Sequence, residues 1–184
     1  MDRIIFVDTE TGGVDPSKHS LLSVGLVAWD YNDGIIDTIE IFIKQDQYTV
    51  TKEAQKLNKF DIETHEKKAV PPLMAINAIK GFSISNTNRT NDIQLAGHNI
   101  QFDVSFLKKL FKDQNKSFNQ LFSHRMIDTY SVLKFLQDAD KINLDHISSA
   151  SAFRLFHIKV DGRHSALGDA IATAQLYGEL LKLV

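Results

Sequence analysis

Near the amino terminus, residues 3–8 read Arg-Ile-Ile-Phe-Val-Asp, an apolar run too short for a helix and better suited to a buried strand. Gly12-Gly13 and Asp15-Pro16 then mark a turn and a loop. Residues 21–31 and 35–44 are rich in Leu, Val, Ile, Trp and Phe and predict two further strands. Asn32-Asp33-Gly34 between them is a hairpin signal. The chain is therefore expected to open as a three-stranded meander, antiparallel across the hairpin.

Beyond Thr51 the apolar spacing changes to three and four residues. This predicts helices over residues 53–60 and 71–84, with Pro71 and Pro72 suited to a helix start. The polar stretch 85–92 reads as a loop tip, because residues 93–99 resume a short buried strand. A helix is expected from about Phe102 to Phe111, and residues 125–137 supply a short strand or turn leading into another. Residues 142–156 predict a further helix capped by Asn143 or Asp145. The last begins near Ala166, with an apolar face of Leu167, Ala170, Ile171, Ala174, Tyr177, Leu180 and Leu181. Three strands, helices, a strand and more helices describe one α/β domain over residues 1–184, with a mixed sheet.

Composition removes several function classes. Cysteine is absent, which excludes disulfides, thiolate metal sites and cysteine nucleophiles. No apolar run approaches the roughly 20 residues that span a bilayer, and the amino terminus runs straight into acids, unlike a secretion signal. A cytoplasmic protein without a membrane partner is expected. A net charge of −2 argues against coating duplex nucleic acid, so any nucleic acid must be engaged locally.

Four carboxylates stand in three sharply defined contexts: Asp8 and Glu10, Asp103, and Asp169 with His164 five residues before it. Asp8 and Glu10 are two apart, which puts both on one face of a strand, followed by small residues that leave room for close approach. The bland alternative is a turn with two solvated acids. Asp103 opens a helix, where an acid is favourable by about 0.3–1 kcal/mol with no further role. His164 and Asp169 cannot share one face of a regular helix, so His164 is expected in the Gly162-Arg163-His164 loop and Asp169 in the helix's first turns. Small residues from Ala166 to Ala174 would let that helix pack closely. If the four acids meet, each pair about 4 Å apart repels by roughly 4 kcal/mol at an effective dielectric near 20. Such a pocket makes sense as a cage for hard divalent ions, Mg²⁺ or Mn²⁺. Two of them, about 3.5–4 Å apart, suit phosphodiester hydrolysis.

The three segments resemble the exonuclease motifs of the DEDDh superfamily, which includes the proofreading epsilon subunit of bacterial DNA polymerase III. Asp8-Thr9-Glu10-Thr11-Gly12-Gly13 is similar to the first motif, His98-Asn99-Ile100-Gln101-Phe102-Asp103 to the second, and His164 through Asp169 to the third. The sister subfamily has a tyrosine four before the last aspartate, where Ser165 stands here. Asp128-Thr129 resembles another pair typical of the family, with a structural role.

The resemblance implies a ribonuclease H-like fold, a central mixed five-stranded sheet flanked by helices, and 3′→5′ release of nucleoside 5′-monophosphates from single-stranded or frayed 3′ ends. DNA is the favoured substrate; an RNA-directed exoribonuclease and a weakly catalytic nuclease-like binding subunit are the alternatives. It implies two ions, Mg²⁺ or Mn²⁺. Asp8 would bridge both, Glu10 and Asp169 would hold the ion beside the attacking water, and Asp103 would attend the other. His164 would act as general base. Thr11, Gly12, His98 and Asn99 would lie close to the terminal nucleotide, and Arg163 near phosphate. Lys108, Lys109, Lys112 and Lys116 read as a solvated helix face, and Phe102 as core. Only about fifteen residues follow Asp169. This favours a stand-alone enzyme or the exonuclease part of a polymerase, replication or repair assembly.

Overall fold

The computed structural model describes residues 3–160 and 164–183. Strands β1 (Ile4–Thr11), β2 (Leu21–Asp30) and β3 (Gly34–Phe42) form the expected meander. Gly34 takes φ 71° in the hairpin, a conformation that glycine adopts without strain. Helices α1 (Lys52–Asn58), α2 (Ile62–Glu66) and α3 (Pro72–Thr87) follow. Next come β4 (Leu95–Gly97), α4 (Gln101–Asp113), β5 (Ile127–Asp128), α5 (Thr129–Asp138), α6 (Ser149–Leu155) and α7 (Ala166–Leu181).

The sheet has five strands in the order β3-β2-β1-β4-β5. β1 pairs antiparallel with β2 and parallel with β4, and β4 pairs parallel with β5. It is a mixed sheet of ribonuclease H-like form with helices on both faces. Alternation along β1 assigns its residues to two cores: Ile5 and Val7 pack with α3 and α4, whereas Ile4 and Phe6 pack with α7. Helix α7 is buried on two sides. Ala170, Ala174 and Tyr177 meet the sheet, while Ala172, Leu176 and Leu180 meet α5 and α6. The apolar face read from the sequence covers the first side and misses Ala172 and Leu176 on the second.

Three local expectations are corrected. Helix α3 continues through Thr87, three residues into the predicted loop, and ends where Asn88 turns left-handed at φ 55°. The polar residues 58–68 hold a second short helix, α2, which the sequence reading overlooked; Asp61 caps it by accepting from Thr64 N. Neither Asn143 nor Asp145 caps α6. Ser148 does, accepting from Ser151 N, and residues 142–147 form a loop that packs Leu144 beneath the helix layer. Among the described residues, no helix is long and apolar enough to cross a membrane.

Candidate active site

Because Asp8 and Glu10 follow the alternation of Ile4 and Phe6, their side chains emerge on the α7 face of β1. Helix α7 approaches that face through Asp169 in its first turn. Ser165 caps the helix, its hydroxyl accepting from Gly168 N at 3.1 Å. Carboxylate oxygens of Asp8, Glu10 and Asp169 lie within 4.8 Å of one another, each residue half-buried.

Asp103 lies outside this 4.8 Å group, yet its charge adds to the rise at Glu10. It is 3% exposed, and its Oδ1 accepts the Thr9 hydroxyl at 2.7 Å. Burial pushes its carboxyl up to about 7, opposed chiefly by the Thr9 hydrogen bond. Burial also pushes Glu10 up to about 7, with the neighbouring Asp169 adding to the rise and hydrogen bonding from Asn58 opposing it.

His164 has a left-handed backbone, φ 66°, and its N–H points to Asp169 Oδ2 at 3.3 Å. It lines a cleft of about 450 Å³ with Glu10, Ser23, Asn58 and Phe60. His164 and Asp169 thus meet from outside and inside the helix, as their spacing of five requires. Gly162 and Arg163 lie outside the described residues.

The expected nucleotide contacts have other immediate neighbours. Thr11 is buried and donates its hydroxyl to Gly13 O at 2.8 Å. A Cβ on Gly12 would stand 2.1 Å from Thr49 O, so the close approach that this glycine permits is by the chain's own backbone. His98 Nδ1 pairs with Thr129 Oγ1 at 3.1 Å, and that hydroxyl donates to Gly97 O. Burial holds the His98 imidazole below its ordinary value, with Asp128 acting against it. Asn99, left-handed at φ 55°, donates its N–H to Asp128 Oδ1 at 2.9 Å. Asp128-Thr129 is thus a bracket tying the exit of β4 to the start of α5.

Phe102 is not core. It is 38% exposed, because the first turn of α4 directs Asp103 and Val104 inward and leaves Phe102 resting on Phe106 at 5.2 Å. The lysines of α4, with Lys116 just beyond it, fit a solvated face: Lys108, Lys112 and Lys116 are exposed and Lys109 pairs with Asp113.

Gly25 escaped the sequence reading. It sits opposite Asp8 in the β1–β2 register, and a Cβ there would lie 2.3 Å from the Ala166 carbonyl carbon. A glycine inside a strand of large apolar residues signals close approach of another backbone, and that signal was present.

Residues 5–177 match the RNase T exonuclease family. The chain belongs to that family. It carries the DEDDh pattern, and the family's members hydrolyse phosphodiester bonds. It is 27% identical over 181 residues to the PolC-type DNA polymerase III of Caldanaerobacter subterraneus subsp. tengcongensis, covering 98% of this chain and 12% of the polymerase. It is 24% identical to the ribonuclease T of Wigglesworthia glossinidia brevipalpis, covering 96% of this chain and 83% of that enzyme. Escherichia coli exonuclease I, solved with a dT13 oligonucleotide, superposes with a TM-score of 0.83 at 15% identity, covering 97% of this chain and 41% of that one. The chain thus spans about an eighth of the polymerase and about two fifths of exonuclease I.

The donor set suits a hard divalent cation. Oxygens on one Mg²⁺ lie roughly 3–4 Å apart given bonds near 2.1 Å, so the Asp8–Glu10–Asp169 trio needs only a small closure. Burial raises both Glu10 and Asp103, with Asp169 adding to the rise at Glu10, and a cation beside them would favour their ionised forms.

Proposed function

We propose that this exonuclease-family chain removes nucleoside 5′-monophosphates from the 3′ end of single-stranded or frayed nucleic acid, with two divalent ions, Mg²⁺ or Mn²⁺. The observation that carries the reading is the meeting of Asp8, Glu10 and Asp169, of which Glu10 also lines a cleft together with His164. Residues 1–184 act as one exonuclease domain.

Asp8, Glu10, Asp103 and Asp169 would together hold the ions, with Glu10 and Asp169 beside the attacking water. The ions supply activation of water and charge stabilisation of the leaving oxygen. His164 takes the water's proton as its oxygen bonds to the terminal phosphorus, and the P–O bond to the preceding nucleotide's 3′ oxygen breaks. An imidazole suits this task because its ordinary pKa lies near neutrality. The backbone contact from His164 to Asp169 holds the base beside the ligands. Thr11, Gly12, His98, Asn99 and Arg163 shape the surroundings of the terminal nucleotide, the first four through the backbone they brace.

Likeness to exonuclease I bound to a dT13 oligonucleotide supports single-stranded DNA. Likeness to a ribonuclease T makes RNA the second reading, and the PolC-type relative makes a polymerase assembly the partner to test. Incubation of 5′-labelled single-stranded DNA, RNA and mispaired duplex with Mg²⁺ or Mn²⁺ tests the proposal. A ladder descending from the 3′ end is expected, fastest on DNA and absent with Asp8→Ala. Intact substrates under all conditions, or a ladder unchanged by Asp8→Ala, would overturn it.

A further inference from the structure

Thr9 stands between Asp8 and Glu10 in β1, and strand alternation turns its side chain to the opposite face of the sheet from theirs. On that face lie Ile5, Val7 and the buried residues of α4. Thr9 is 8% exposed, and its hydroxyl reaches Asp103 Oδ1 at 2.7 Å across 94 positions of sequence. β4 pairs with β1 only at Ile5 and Phe6. Farther along β1, at Thr9, the first turn of α4 meets the strand, and Asp103 takes hydrogen bonds from both the hydroxyl and the backbone of Thr9.

A strand needs no hydroxyl at this position, since valine or isoleucine would serve the backbone equally well. Asp103 does need a donor. A carboxylate this buried loses solvation on every side, and the Thr9 hydroxyl is the foremost of the hydrogen bonds that offset the loss, ahead of those from the backbone of Asp103 and Thr9. The bond to Thr9 occupies one of the roughly four lone-pair sites of a carboxylate, so Asp103 can hold Thr9 and still ligate a cation.

Resting on the metal-dependent reading above, we infer that Thr9 is a positioning residue for Asp103. Its hydroxyl holds the fourth carboxylate at the end of β1, where it joins the Asp8–Glu10–Asp169 trio around divalent cations. The residue between the two acids of the first motif thereby links the two faces of the sheet: its neighbours gather with α7, and it fastens α4.

Mn²⁺ uptake, followed by the paramagnetic resonance of the free ion and by calorimetry, tests this on the whole chain without turnover. Thr9→Val keeps shape and removes the donor, and it should weaken the Asp103-dependent uptake at least about tenfold, as loss of an outer-shell partner does. Thr9→Ser, which restores a hydroxyl, should bind like wild type. In an Asp103→Asn background Thr9→Val should change nothing further. Wild-type uptake in Thr9→Val overturns the inference. So does an equal loss in the Asp103→Asn background, or uptake in the wild-type chain that Asp103→Asn leaves unaltered. If Thr9→Val fails to melt cooperatively, Thr9→Ala is read in its place with the same outcomes. A chain that shows this Thr9 dependence and yet leaves 3′ ends intact sinks the exonuclease reading while supporting the inference.

Discussion

Gly25 lies directly beneath Ala166, the first residue of α7, so close that a Cβ on the glycine would stand 2.3 Å from the Ala166 carbonyl carbon and 2.4 Å from its oxygen. The obstacle is backbone, which cannot swing aside as a flexible side chain would. Gly25 is also the cross-strand partner of Asp8. The contact that seats α7 on the sheet therefore sets the distance between Asp8 and Asp169.

Gly25→Ala is expected to lift the start of α7 and separate the trio. Overpacking of this kind costs about 1–3 kcal/mol of stability. Activity should fall well beyond the share explained by unfolding, because the cluster itself is disturbed. Gly178→Ala is the matched control on the same helix, since a Cβ there meets nothing within 4 Å. It should raise stability by about 0.5–1 kcal/mol and leave turnover alone. Thermal melts and Mn²⁺ titrations of both variants check the pair; equal behaviour would refute the account of α7.

His164→Asn separates the base from its backbone. Asparagine tolerates the left-handed conformation at φ 66° and keeps the N–H that faces Asp169 Oδ2. If the imidazole accepts the water's proton, kcat should fall by about 10²–10⁴ while Mn²⁺ uptake persists. Asp8→Asn should lower both. Single-turnover digestion combined with metal titration distinguishes these outcomes, and a His164→Asn enzyme with normal kcat would remove the base from the mechanism.

Metal-free stability should decline with rising pH, opposite to most carboxylate-bearing proteins. Glu10 and Asp103 both titrate near 7 in the fold, against ordinary values of 4.5 and 3.8. The folded state therefore binds more protons than the unfolded one between about pH 4 and 7, and stability falls as pH rises through that window. The chief cause is burial, joined at Glu10 by Asp169. Added Mg²⁺ or Mn²⁺ should abolish the decline by favouring the ionised acids. Chemical denaturation at pH 5, 6 and 7.5, with chelator or with metal, gives the slope; a rising metal-free slope would contradict the assignment.

Much of the site was legible because strand periodicity is rigid. The spacing of two between Asp8 and Glu10 sets their common face, and the spacing of five between His164 and Asp169 requires one to lie outside the helix. Mixed pairing is harder to read, since β4 has three residues and β5 only two. Such short strands carry no period; β4 exists because the long β1 offers it an edge, and β5 pairs in turn with β4. The start of α6 was misplaced because Asn143, Asp145 and Ser148 are all competent caps, and tertiary packing of Leu144 chose among them. Phe102 was read as core from its hydrophobicity alone, although Asp103 beside it takes the inward position on α4. Asp103's bond to Thr9 has no sequence signature, because 94 residues separate the partners.

Asn58 governs a part of the cleft that the hydrophobic core does not hold. Helix α1 has no buried residue. It is anchored instead at its ends: Thr51 N–H donates to Gly12 O at 2.7 Å, and the Asn58 amide donates to Thr11 O at 3.1 Å. Asn58 Oδ1 also accepts from Phe60 N at 3.2 Å, which shapes the turn that walls the cleft beside Glu10 and His164. Asn58→Ala should therefore cost only about 0.5–1.5 kcal/mol globally. Its local effect should be larger, because a segment without apolar burial opens independently of the core. Amide exchange should quicken across residues 52–61 while β1 and β2 stay protected. If the loosened wall binds substrate, the Michaelis constant for a single-stranded 3′ end should rise more than kcat falls. Uniform loss of protection throughout the sheet, or a kcat defect with an unchanged Michaelis constant, would show that Asn58 serves Glu10 alone and not the cleft.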